Sequence, residues 1–459
     1  MDGIAATRTL DDREALAALL ARHPSIRHVD GVFFDLCCRP RGIRVPVRSA
    51  LADGMAHGFS RSSPVHDATG SSVAPLGIGE ADGDPDALAR PVPESLAPRH
   101  FAEGAEPRAA RVLLRFDPGP DGRILDPRAV LERMVALAGA RGLRPVAAFE
   151  VEFYLIDQRP GPDGAPRPAR NRLSGEPEGR TGDQCLQALD DFAPFMDDLL
   201  RMAELQGLPI TGLNAEAAPG QFEANLRHGD AVAAADHAAL LRLLIAETAT
   251  AHGYRASFMS KPFPDWAGSG LHLHVSLAGR DGANIFDEAG EGPGPLLRQA
   301  VGGLLATMPE AMAVFAPNIN AYRRLAAGGF VAGAASWGVD NRSVAVRVPS
   351  AGGAARRLEH RVAGADANPY LVLAAVLGGM LHGLEAAADP GAPAAGAAQP
   401  GQGLPLPSSL EAALAAGAAA TTLPALIGPD YWAVYLAAKR AEYDRFAAVP
   451  SPREFAWYL

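Results

Sequence analysis

The sequence predicts an α+β protein of two domains, on three observations. The chain has 459 residues, 48% of them hydrophobic, which is ample for a large core and too long for one ordinary domain. Residues 111–116 and 148–155 read as strands by composition. Residues 237–252 and 431–446 carry sustained helical patterns. Charged residues at 20% and a mean hydropathy near zero describe a soluble globular chain.

The elements follow in order. Leu16, Leu19 and Leu20 recur at helical spacing among Asp11, Asp12, Arg13, Glu14 and Arg22, which predicts a short amphipathic surface helix. Residues 28–47 alternate apolar runs with turn residues and read as strands. Residues 60–99 are polar and rich in Gly and Pro, with a turn at Gly83-Asp84-Pro85-Asp86. A new unit begins near Pro107, so the domains are set at 1–105 and 106–459. Asp126-Pro127 opens a helix, with proline in its first turn. The most apolar run, 370–381, is too short to cross a membrane and predicts a buried helix. Residues 389–407, rich in Pro, Gly, Ala and Gln, predict a surface loop or flap.

Several classes are excluded. A net charge of -10 argues against general nucleic-acid binding. Cys37, Cys38 and Cys185 form no spaced framework, which fits a reducing cytoplasm, and without a CxxC pair no structural zinc site is expected. No basic segment with a following apolar run marks a signal peptide.

Four motifs carry chemistry. In 148–155, Glu150 and Glu152 are two apart, so both carboxylates of a strand face one side. Alone, this is more often the wet face of an edge strand. In 213–223, Pro219-Gly220 makes a turn that can bring Glu216 and Glu223 together. An ordinary acidic hairpin reads equally well. In 268–276, Gly268-Ser269-Gly270 suits close backbone approach to a ligand, and His272, His274 and Ser276 share one strand face. Imidazoles with carboxylates can ligate a divalent metal, although either histidine alone can be structural. In 356–361, Arg357, Glu359 and Arg361 would share a face, either as a salt-bridge ladder or as a metal ligand between anion clamps.

Between residues 323 and 361, seven arginines stand against Asp340 and Glu359. A basic concentration in an acidic protein suggests an anionic ligand. Five glutamates and a histidine suit hard divalent cations, Mg2+ or Mn2+, and metals with an arginine field are the equipment of phosphoryl transfer. Neither a P-loop nor a dinucleotide fingerprint is present.

Taken in this order, the motifs resemble the glutamine synthetase family from about residue 25 to the C-terminus. The resemblance implies a β-grasp N-terminal domain and an α/β catalytic domain with a curved antiparallel sheet. It implies that Glu152, Glu216 and Glu223 hold one metal, and Glu150, His272 and Glu359 another. Arg324 would hold the α-carboxylate of glutamate and Arg361 its side chain, with Gly268, His272 and Glu216 also at the substrate. His274 and Ser276 would contact ATP, and Arg342, Arg347 and Arg357 its phosphates. Arg342, Glu152 and Glu359 would be the catalytic set. Asn368-Pro369-Tyr370 matches the family's last core helix.

The departures point away from ammonia. Family members that use ammonium carry a glutamate where this chain has Phe330, and an aspartate where it has Ser60. An ammonium ion needs carboxylates to hold it, whereas a larger amine suits an apolar wall. Residues 79–93 and 337–342, with Glu454 and Tyr458, resemble the γ-glutamylpolyamine synthetase branch. Ala354 replaces a nucleotide-contacting lysine, and Ala267 an asparagine near glutamate. The expected activity is ligation of glutamate to an amine, such as a polyamine, through a γ-glutamyl phosphate. The expected partners are glutamate, ATP and the amine, in a homo-oligomeric double ring, a dodecamer by resemblance. An authentic glutamine synthetase, a ligase for another amine, and a non-catalytic ring protein remain as alternatives.

Overall fold

The computed structural model describes residues 11–72, 77–119, 121–162, 164–172, 174–288, 290, 292–327, 330–398 and 402–459. Two sheets organise these residues. The first has five strands in the order Pro40–Pro46, His28–Phe34, Ala109–Phe116, Asp86–Pro98, His57–Ser60. His28–Phe34 and Ala109–Phe116 run parallel at its centre, and the other pairs are antiparallel. This is the arrangement expected of a β-grasp. The helix Asp12–Arg22 buries Leu16 and Leu19 against it, and Phe33 packs edge-on to Phe59 and Phe116.

Two expectations change here. Residues 111–116, read as the opening of the second domain, are the central strand of the first sheet, so the first unit extends beyond residue 105 to Phe116. Main-chain pairing on both edges of that strand decides this, and composition carries no trace of it. Within the segment 60–99, residues Asp86–Pro98 form a strand. Its prolines hid it, and the ladder to Ala109–Phe116 breaks its register between Val92 and Ala97, around Pro93.

The second sheet has nine strands and is antiparallel except where Trp337–Val339 runs beside Val346–Val348. The strand Arg144–Asp157 lies inside it, with Leu271–Ala278 on one edge and Gln221–Leu226 on the other. Helices Pro127–Ala140, Ala231–Ala251, Pro295–Phe315 and Pro369–Ala386 enclose the core. The two starts read from a cap residue and a following proline are capped. Asp126 accepts from the amide of Arg128, and Asn368 from those of Tyr370 and Leu371. Asn368 also donates to the Asp35 carbonyl at 3.0 Å, tying this helix to the first unit. Pro369–Ala386 is long and apolar enough by composition to cross a membrane, but it is mostly buried in the protein core, as a central helix should be.

Pro295–Phe315 and Pro369–Ala386 approach through glycines. A Cβ on Gly303 would stand 2.3 Å from both the Gly379 carbonyl oxygen and Gly383 Cα. Both are backbone atoms, so relief requires the helices to part. Gly303→Ala is expected to cost about 3 kcal/mol, the upper end of overpacking, read as a lowered melting temperature. An unchanged melting temperature would show that this contact is looser than drawn.

The loop 389–407 is irregular apart from Leu404–Pro405, which pairs with Ala334–Ala335. Residues 399–401 lie outside the described set.

Candidate active site

Cross-strand register assembles the site. Glu150 stands opposite His272 on one neighbour and Asn225 on the other, and Glu152 opposite Glu223. His274 stands opposite Glu359, and Glu359 opposite Arg347. The turn after Ile210–Ala215 returns Glu216 beside them, its amide donating to the Gln221 carbonyl at 2.9 Å.

Two cavities flank this row. The larger, of about 810 Å3, is lined by Glu150, Glu152, Glu216, Glu223, His272 and Glu359. Gly268, Arg324, Phe330, Arg342, Arg347 and Arg361 complete its expected residues. The second, of about 690 Å3, is lined by His274, Ser276, Arg357 and Ala354, and also by Glu150. Glu150 and Asn225 therefore form the wall the two spaces share.

Ser60 lines neither cavity. It ends the strand His57–Ser60 and hydrogen-bonds Asp84, which also accepts from the Ser62 amide at 3.0 Å. Asp84 was visible in the sequence only as a turn residue. Its role comes from the fold of the first unit.

The carboxylates and imidazoles converge on one another across the strands. Glu150, His274 and Glu359 offer ligand atoms within 4.8 Å of one another, and so do Glu150, Glu223 and His272. His274 Nε2 lies 2.8 Å from Glu150 Oε1, and His272 Nδ1 lies 3.2 Å from Glu150 Oε2. Glu150 is thus common to both groups, and Glu152, whose Oε1 lies 3.7 Å from His272 Nε2, lines the same cavity with Glu216. The register, which sets His274 against Glu359, produces this grouping.

Charge crowding explains the titration of the cluster. Burial, followed by the charges of Glu152 and Glu223, pushes the Glu216 carboxyl up to about 9. Burial and the charges of Glu150 and Glu152 also raise Glu223. Burial works to raise Glu150, but hydrogen bonds with His272 and His274 outweigh it and hold Glu150 low. Glu359 is likewise held low against its burial, by His272, Arg361 and His274. Carboxyls forced to keep protons by one another are the setting in which a cation replaces those protons. Oxygen-rich donors with imidazoles, convergent and negatively charged in excess, fit a hard divalent metal.

Supporting side chains were less legible. Asn214 and Asn225 donate to Glu223 Oε1 at 3.1 and 3.0 Å. Gln221, 2% exposed, donates to the Gly268 carbonyl at 3.0 Å and toward Glu152 at 3.4 Å. These residues sit within the acidic hairpin motif, but polar residues in a hairpin announce nothing by themselves.

The arginines divide by partner. Arg361 and Arg347 both bind Glu359, Arg347 at 2.8 Å, and Arg347 also reaches Asp340 at 3.1 Å. Arg357 Nε donates to His274 Nδ1 at 3.1 Å, inside the second cavity. Arg342 is exposed on the wall of the first. Arg324 is buried, donating to the carbonyls of Val362 at 2.8 Å and Arg361 at 3.3 Å. The Gly268-Ser269-Gly270 segment makes room for it. A Cβ on Gly268 would stand 2.6 Å from Arg324 Cγ, and one on Gly270 2.7 Å from its Nη2. These glycines thus admit a protein side chain that reaches the substrate space.

Known proteins share this layout. The family described as "Glutamine synthetase, catalytic domain" matches residues 124–458. Gamma-glutamylputrescine synthetase PuuA of Escherichia coli (strain K12) is 37% identical over 443 residues, 96% of this chain and 93% of that one. Glutamate--isopropylamine ligase of a Pseudomonas species is 36% identical over 63% of each chain. A solved structure described as a GmaS/ADP complex superposes with a TM-score of 0.81 at 29% identity, covering 96% of this chain and 99% of that one. The matched region contains the second sheet, both cavities and the glutamates, histidines and arginines that line them, and on this agreement of sequence and geometry the chain belongs to the glutamine synthetase family.

Proposed function

We propose that the chain is an ATP-dependent ligase that joins the γ-carboxylate of glutamate to an organic amine. Phe330 carries the choice of amine. It is 67% exposed and lines the larger cavity, where the resemblance expects a glutamate in ammonium-using members. An apolar wall cannot hold a small ammonium ion but can pack an alkyl chain. The two relatives named for putrescine and isopropylamine support an organic acceptor.

In this reading ATP enters beside His274, Ser276 and Arg357, and glutamate lies in the larger cavity with its α-carboxylate on Arg324. Their reacting ends meet near Glu150, on the shared wall. The γ-carboxylate attacks the terminal phosphorus, ADP leaves, and an acyl phosphate forms. The amine nitrogen then attacks the acyl carbon, phosphate leaves, and the nitrogen gives up a proton. Arg342, exposed on the wall, offsets charge on the transferred group, and Arg361 aligns the side-chain carboxylate. Glu150, Glu152, Glu216, Glu223, His272 and Glu359 would hold two or more divalent cations, Mg2+ or Mn2+. Bound there, such ions neutralise phosphate charge. By resemblance the enzyme works in the cytoplasm as a double ring, with Ser60 facing a neighbour's cavity. A monomer in light scattering would remove that part.

Phosphate release from ATP with glutamate and Mg2+ tests the reading, comparing ammonium with putrescine, spermidine, ethanolamine and aniline. Turnover with an organic amine and little with ammonium is expected, and strong turnover with ammonium would overturn it. Phe330→Glu should raise kcat/KM for ammonium about tenfold, worth about 1.4 kcal/mol, and lower it for the organic amine. No gain with ammonium would show that residue 330 does not choose the acceptor.

A further inference from the structure

A third cavity, of about 670 Å3, lies between the first unit and the helix Pro429–Ala447, with Cys37, Lys439 and Glu442 in its wall. These three side chains close a triangle. Lys439 Nζ donates to Cys37 Sγ at 3.2 Å and to Glu442 Oε2 at 3.0 Å. Cys37 Sγ donates to Glu442 Oε1 at 3.2 Å, and the same oxygen accepts from the Ala68 amide at 2.7 Å. The Lys439 side chain is 3% exposed. Lys261 and Lys439 are the only lysines among 42 Lys and Arg residues, so this buried position carries the rarer cation. An amine can become a nucleophile by losing a proton, and a guanidinium cannot.

We propose that Cys37 and Lys439 form a modification site, in which a peroxide oxidant joins them by a sulfur–nitrogen bond. Cys37 is half-buried and lines the cavity, so a small oxidant reaches its sulfur. Burial pushes the thiol up to about 12, with Lys439 pulling against it. The proton therefore has to leave as the sulfur reacts. Sulfur attacks one oxygen of hydrogen peroxide and the O–O bond breaks. The departing hydroxide takes the thiol proton, leaving a sulfenic acid and water. Sulfur loses two electrons and peroxide gains them. The Lys439 ammonium then passes one proton to Glu442, and its nitrogen attacks the sulfur. The S–O bond breaks, and the hydroxyl leaves as water with a second ammonium proton. The second step involves no further redox change, and sulfenic acids condense with nitrogen in this way. The protein has lost two hydrogens.

The link joins residues 402 apart in sequence and ties the turn after His28–Phe34 to the helix Pro429–Ala447. It thus staples the first unit to the body that holds the catalytic sheet. This inference is independent of the ligase reading, because its readout is covalent mass.

The full-length protein, treated with hydrogen peroxide and digested, should yield the Cys37 and Lys439 peptides joined at their summed mass less two hydrogens. A thiol reductant should separate them. The oxidised protein should melt a few degrees higher than the reduced one, and Lys439→Arg and Cys37→Ser should each abolish both the joined peptide and the shift. Cys185→Ser should retain both. Recovery of Cys37 as free thiol, as sulfinic acid, or in a disulfide with Cys38, with the Lys439 peptide unmodified, would overturn the proposal. If Lys439→Arg does not fold, the peptide map of the wild type decides alone.

Discussion

Glu359→Ala is expected to lower phosphate release by about 10²–10³-fold, the scale of losing one group that stabilises transition-state charge. It should also destabilise the fold. Glu359 is 1% exposed and pairs with Arg347 at 2.8 Å and with Arg361. Removing one partner of a buried pair costs about 3–5 kcal/mol, because the remaining charges lose their counterion. Glu359→Gln separates the two effects, since it keeps the shape and the hydrogen-bonding oxygen while removing the charge. The wild type should melt higher with Mn2+ and a nucleotide, as any ligand of the native state requires, and Glu359→Gln should lose most of that shift. Full activity in either variant would remove Glu359 from the metal and phosphate machinery.

Asp236→Ala should have a large effect on stability away from the site. Its carboxylate receives Arg128 Nε and Nη2, both at 2.9 Å, and the Tyr370 hydroxyl at 2.8 Å. Arg128, Asp236 and Tyr370 belong to three different core helices. Alanine leaves a buried phenol without its acceptor and takes from the buried guanidinium its two hydrogen bonds to Asp236, leaving Glu132 to pair with it, an expected loss of about 3 kcal/mol. Adding Arg128→Met should recover part of it, since the half-compensated buried charge then disappears. A melting temperature within experimental error of wild type would show that these helices do not depend on the pair.

What could be read early was local. The strand 148–155 appears as Arg144–Asp157, and the acidic hairpin as Ile210–Ala215 with Gln221–Leu226. The capped starts at Asp126-Pro127 and Asn368-Pro369 also appear as read. Each is set by a period, a turn residue or a cap within a few positions. The helix Pro295–Phe315 was not identified, because its pattern is apolar nearly all round and gives no single face.

By itself, then, the sequence determined which residue types were available for the chemistry, and on which short elements they sat. Glu150 and Glu152 on one strand, the two histidines, and the arginines around Glu359 followed from it. Only the tertiary structure decided who meets whom. It placed His274 beside Glu150 and Glu359, turned Arg347 onto Glu359, and set Arg324 against the Gly268-Ser269-Gly270 segment. It also carried Ala109–Phe116 into the first sheet and closed Cys37 onto Lys439. The physical reason is register. Side chains alternate faces along a strand, so a one-residue slip would exchange every partner, and register is set by hydrogen bonds between segments far apart in the chain.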